Sequence, residues 1–171
     1  MKYDYVSLYN KNAAFFIRRP TMKAAIKWGN LFLTAVFPIA YAFLLINAFF
    51  IEPINPKDAA VLLCLPLVAL ITVSVMRLMI DRPRPYEENG ANITPLFLKA
   101  KSGHSFPSRH LASAAVISLV FASQFLAGGI VLLLFALLLG YARFTLGWHY
   151  PSDLLAGFGV GAGIGLLVFL L

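Results

Sequence analysis

Polar residues are scarce in this chain. Charged side chains make up 12% of its 171 residues, the acidic ones number seven, and there is one cysteine. Each shortage excludes something. A lone Cys64 cannot close an intrachain disulfide or build a thiolate zinc site, and its apolar surroundings read as those of a small packed hydrophobe. Glu52, Asp58, Asp81, Glu87 and Glu88 show no metal-ligand spacing, so neither a metal nor another cofactor is expected. No nucleic-acid motif and no internal repeat is visible. The N-terminus lacks the short apolar core and cleavage pattern of a secretory signal.

What is abundant is apolar. Sixty per cent of the residues are hydrophobic and the mean hydropathy is +0.81. A soluble domain of this size could not hide so much apolar surface from water. The expectation is an all-α, polytopic membrane helical bundle, a single domain over residues 1–171 in a cell membrane. Residues 31–51 and 59–80 each supply the twenty or so apolar positions that a hydrocarbon core of about 30 Å requires. The polar, proline-punctuated segment 52–58 turns the chain between them. Residues 81–105 read as a loop. Residues 111–147 are nearly continuous apolar sequence, roughly 55 Å as one helix at 1.5 Å per residue, which is too long to span once. Ser123, Gln124, Gly128 and Gly129 mark a turn near its middle. Residues 154–171 complete five spans, with Gly157, Gly161 and Gly165 on one helical face, a stripe that permits close helix packing. Residues 1–28, basic and dotted with Tyr3, Tyr5, Phe15, Phe16 and Ile17, read as an N-terminal interfacial helix on anionic lipid, with a solvated basic tail as the alternative.

The few charges are not scattered. Arg77, Arg82, Arg84, Arg109, His110, Arg143, His149 and Asp153 all fall at the ends of spans that meet on one face. Ionisable groups near membrane depth are costly and mark function by default. Arg82 taken alone reads as a snorkelling lipid anchor. The set reads as a site for a doubly charged tetrahedral oxyanion, because guanidinium forks match phosphate oxygens and stay charged. With Pro107 in the first turn of the third span, the backbone N–H groups of Ser108, Arg109 and His110 would point at the anion. Two histidines can supply a nucleophile and a general acid, and Asp153 can hold one imidazole in the required tautomer. His104 and His110 lie six residues apart, and composition alone leaves either open. The net charge of +7 points to lipid head groups and phosphate as partners rather than nucleic acid.

These residues resemble the type 2 phosphatidic acid phosphatase superfamily, membrane lipid phosphatases whose site is shared with vanadium haloperoxidases. Its first motif, Lys, six residues, Arg-Pro, has its counterpart in Arg77 and Arg84-Pro85. Its second, Pro-Ser-Gly-His after Ser-Phe, corresponds to Ser105-Phe106-Pro107-Ser108-Arg109-His110. Its third, Ser-Arg, five residues, His, three residues, Asp, corresponds to Ala142-Arg143, His149 and Asp153. Arginine replaces lysine at 77 and glycine at 109, and alanine replaces serine at 142. The resemblance covers residues 77–157. It implies that His149, His110 and Asp153 are catalytic, with His149 the nucleophile, and that Arg77, Arg84, Ser108, Arg109 and Arg143 bind phosphate. It leaves His104 to the loop, and it implies a lipid phosphate or diphosphate substrate. Undecaprenyl diphosphate and phosphatidyl phosphates lead, with lipid A, or binding and transport without cleavage, as alternatives. It also implies an extracytoplasmic site. Five spans put thirteen of the fourteen Lys and Arg residues on the site's face, all but Lys57, and the positive-inside rule would make that face cytoplasmic.

Overall fold

The computed structural model describes residues 2–88, 93–98 and 103–171, with side chains from Tyr5 onward. Tyr3, read above, therefore contributes no described side chain. The described residues form helices: α1 (Lys2–Ile17), α2 (Pro20–Ile46, continued by a π-helical turn at Asn47–Ile51), α3 (Pro56–Ile80), α4 (Arg109–Gln124), α5 (Leu126–Thr145) and α6 (Pro151–Gly165, continued by a 3₁₀ turn at Leu166–Phe169).

Local chemistry sets the boundaries. Proline opens α2, α3 and α6 at positions where a missing N–H costs nothing. Asn55 caps α3, its side-chain oxygen accepting the Asp58 N–H at 2.9 Å. Ser108, not Pro107, is the residue before α4, so Pro107 lies just outside the helix rather than in its first turn. The long apolar run 111–147 breaks at Phe125, the hinge between α4 and α5. The turn is tight because Gly129 has no Cβ, which would sit 2.3 Å from that of Ala122.

Among the described residues four helices, including their extensions, are long and apolar enough to cross a membrane: 20–51, 56–80, 126–145 and 151–169. The expected five is thus four such helices plus α4. At sixteen residues α4 is about 24 Å long and does not reach across alone. It is the central helix, with ten buried residues from Leu111 to Ala122, and α2, α3, α5 and α6 all contact it. Lipid is as apolar as leucine, so this packing rests on close contact rather than on escape from water. Small residues supply that contact. A Cβ on Gly157 would lie 2.4 Å from the Ser108 carbonyl oxygen, and one on Gly161 would lie 2.1 Å from that of Ala112. Outward faces carry Phe32, Ile39, Leu67, Leu78, Leu137 and Leu155, all exposed. Cys64 is also exposed on this outer side of α3, which corrects its reading as a packed core residue.

A second core sits at the site's end of the bundle. Tyr5, Tyr9, Ala13 and Phe16 of α1 pack on Ile93, Leu96, Leu146 and Tyr150. The N-terminal segment is therefore helical, and its inner face is seated on the protein's own loops. Tyr9 donates its hydroxyl hydrogen to the Thr94 carbonyl at 2.9 Å, and Asn12 donates to Thr145 Oγ1 at 2.9 Å.

Candidate active site

A cavity of about 670 Å³ opens between the interior of α2, the C-terminal parts of α3 and α5 and the first turn of α4. Arg77, Arg84, Arg109, His110, Arg143 and His149 line it, so six of the eight residues singled out in sequence share one wall. They come from the last turns of α3 and α5, the first turn of α4 and the two connecting loops. The remaining two, Ser108 and Asp153, are fully buried and do not line it.

Three of the arginines are buried and tethered by one edge. Arg77 Nη1 donates to the Pro107 carbonyl at 2.9 Å. Arg84 Nη1 donates to the Trp148 carbonyl at 3.1 Å, and Arg143 Nη2 donates to Thr34 Oγ1 at 3.1 Å. Arg84 Nε and both Arg143 Nε and Nη1 are buried with no partner among the described residues. Unsatisfied cationic donors are expensive in such surroundings, and an anion in the cavity would satisfy them. Arg109, the first residue of α4, is exposed.

His149 is held by the backbone. Its Nδ1 lies 3.0 Å from the Ser105 carbonyl oxygen, which fixes the tautomer with hydrogen on Nδ1 and leaves Nε2 with its lone pair. Ser105 is itself clamped: its N–H donates to the Arg82 carbonyl at 2.8 Å and its hydroxyl to the Pro83 carbonyl at 3.0 Å. Burial lowers the His149 pKa to about 4. Arg84 and Arg143 push in the same direction, against the pull of Asp153. The ring is therefore neutral at pH 7.

Asp153 is placed differently from the triad arrangement expected. Its Oδ2 is 3.7 Å from His149 Nδ1, too far for a hydrogen bond, and accepts the Tyr150 N–H at 3.0 Å instead. Its Oδ1 accepts from Arg82 Nη1 at 2.8 Å. Its carbonyl accepts the Ser108 N–H at 2.9 Å. That last bond corrects the expectation for the turn, since the Ser108 N–H is spent on Asp153 and cannot point at an anion. The Ser108 hydroxyl accepts the Leu111 N–H at 3.5 Å, as a helix cap does.

Arg82 is the residue that sequence reasoning undervalued. Besides Asp153 it donates to Ser152 Oγ at 2.8 Å, and its guanidinium lies 4.0 Å above the Tyr150 ring. No local signal separates it from a lipid anchor. His104 does line the cavity, with Nδ1 2.8 Å from Asp81 Oδ1 and 3.1 Å from the Arg77 carbonyl oxygen.

A helical membrane bundle with a cationic pocket and a neutral, oriented histidine is the framework of a phosphoryl-transfer enzyme. Residues 59–171 match the PAP2 superfamily, and the chain belongs to it, as a phosphatase of membrane lipid phosphates. Over 139 residues it is 27% identical to the undecaprenyl-diphosphatase BcrC of Bacillus subtilis (strain 168), covering 81% of this chain and 70% of that one. Over 99 residues it is 30% identical to a lipid A 1-phosphatase of Rhizobium johnstonii, covering 57% of this chain and 41% of that longer relative. The crystal structure of LpxE from Aquifex aeolicus superposes with a TM-score of 0.73 at 23% identity, over 96% of this chain and 94% of that one. That of a PAP2-type phosphatidylglycerolphosphate phosphatase from Bacillus subtilis gives 0.58 at 22%, over 98% and 94%. These two likenesses concern the fold.

Proposed function

We propose that the chain removes the terminal phosphate from a bilayer lipid, without a metal ion, through a phosphohistidine on His149. The reading is carried by one observation: a buried imidazole whose Nδ1 is tied to a carbonyl at 3.0 Å shares a cavity with three buried arginines. In this scheme Arg77, Arg84 and Arg143 hold the phosphate oxygens, with Arg109 at the mouth. Ser108 shapes the turn that presents His110. His149 Nε2 attacks phosphorus in line and the bond to the leaving oxygen breaks. His110 protonates that oxygen, then takes a proton from the water that displaces histidine and frees inorganic phosphate. The arginines carry the charge that a metal would otherwise neutralise. Asp153 acts by positioning the loop around His149.

The substrates that fit are lipid diphosphates such as undecaprenyl diphosphate, and phosphatidyl phosphates. The similarity to a lipid A 1-phosphatase supports lipid A as a second reading. Retention of His110, His149 and Asp153 argues against binding or transport without cleavage. The site faces away from the cytoplasm in this proposal, as the family resemblance implies and against the bias of the basic residues. Labelling a Lys11→Cys variant from outside intact cells tests that side directly.

The test of activity is phosphate release in detergent, with chelator present, from a panel of lipid phosphates and diphosphates. Turnover by wild type and none by His149→Ala is expected. Loss of all activity on chelation, restored by added metal, would overturn the metal-free scheme.

A further inference from the structure

Beside the phosphate cavity runs a second groove, of about 420 Å³. Lys27, Trp28, Phe97 and Leu98 form its own walls, and Asn30, Leu31 and Trp148 belong to both spaces. The chemistry of this groove is mixed in a specific way. Lys27 Nζ sits 5.1 Å from the Phe97 ring centroid and 5.8 Å from that of Trp28, while Lys23 Nζ reaches the Phe97 ring from one turn earlier, at 4.9 Å. Neither ammonium pairs with a carboxylate among the described residues. Trp28, Leu31 and Leu98 are exposed apolar surface along the groove.

The two spaces are mechanically joined. Trp148 donates its indole N–H to the Phe97 carbonyl at 2.9 Å, and its own carbonyl accepts from Arg84 at 3.1 Å. The partition between them is thus built from the residue next to His149. At the same junction Asn30 is buried, and its Oδ1 has no hydrogen-bond partner among the described residues.

We propose that this groove seats the lipid-side phosphate of a lipid diphosphate, with Lys27 as its counter-charge. This deepens the phosphatase reading and rests on it. A strongly hydrated point charge on a flexible stem suits a phosphate that must be released after the terminal one is cleaved. The aromatic walls suit the first carbons of the chain. A lipid monophosphate would fill the arginine cavity and leave Lys27 unused, so the groove selects for diphosphates.

The experiment compares farnesyl diphosphate with farnesyl phosphate on the full chain in detergent. Lys27→Gln is expected to lower the ratio of kcat/KM for the diphosphate to that for the monophosphate about tenfold, the effect of one charged hydrogen bond, and Lys27→Arg to preserve it. The same pair of ligands is measured for binding to His149→Ala with and without Lys27→Gln, where the affinity ratio should shift equally. An unchanged ratio in both assays overturns the proposal, including the case where both substrates weaken together, as for a plain membrane anchor. Wild-type failure to turn over either lipid would count against the phosphatase reading, while the binding ratio would still decide the groove.

Discussion

Arg82 Nη1 donates to Asp153 Oδ1 at 2.8 Å, across 71 residues of chain. Asp153 is fully buried and Arg82 is 35% exposed. The pair pins the loop after α3 to the start of α6, where Asp153 also accepts the Tyr150 N–H and, through its carbonyl, the Ser108 N–H. One carboxylate residue therefore joins three segments of the site.

Removing its cation should be costly. Arg82→Ala leaves a buried carboxylate that lacks its charged partner, a change that destabilises by about 3–5 kcal/mol in closed interiors and by about 2 kcal/mol here, given Arg82's exposure. The expected result is a lower melting temperature in detergent and a fall in kcat well beyond any change in KM. A variant as stable and active as wild type would show that Asp153 needs no counter-charge.

The lowered pKa of His149 makes a second prediction. The folded pKa is about 4, against an ordinary 6.5 in the unfolded chain. Between those values the unfolded state binds a proton that the folded state refuses. Stability contributed by the neutral ring is thus present above pH 6.5 and lost as pH falls toward 4. From pH 7 to pH 5 the loss is about 2 kcal/mol. Melting curves of wild type and His149→Gln across this range should converge at low pH. Parallel curves would mean that the ring titrates normally.

The glycines of α6 divide by what a side chain would meet. Gly157→Ala places a methyl 2.4 Å from the Ser108 carbonyl oxygen, whereas positions 159 and 163 have nothing within 4 Å. Gly157→Ala should move α6 off α4, separate Asp153 from Ser108, and cut activity by about a hundredfold, the scale of a displacement near 1 Å at a reacting centre. Gly159→Ala should leave activity intact and raise stability by about 0.5–1 kcal/mol through helix propensity. Equal effects at 157 and 159 would remove the packing argument.

Much of the molecule can be read from residues in order. The apolar runs, the glycine stripe and the cluster of Arg77, Arg84, His110, Arg143 and His149 at span ends are local or periodic features, so composition and spacing determine them. The hinge at Phe125 lies between the two breaks that the sequence marks, because a run of 37 residues exceeds the bilayer. What tertiary structure alone decided is the pairing of groups far apart in the chain. Nothing near Arg82 states that its partner is Asp153. Nothing near Ser105 states that its carbonyl holds His149, and the basic N-terminal segment does not announce that Tyr5 and Tyr9 pack on Tyr150 and Leu146. A hydrogen bond needs partners within about 3 Å. Which donor comes within reach of which acceptor depends on how the six helices cross, and that follows from packing summed over the whole bundle.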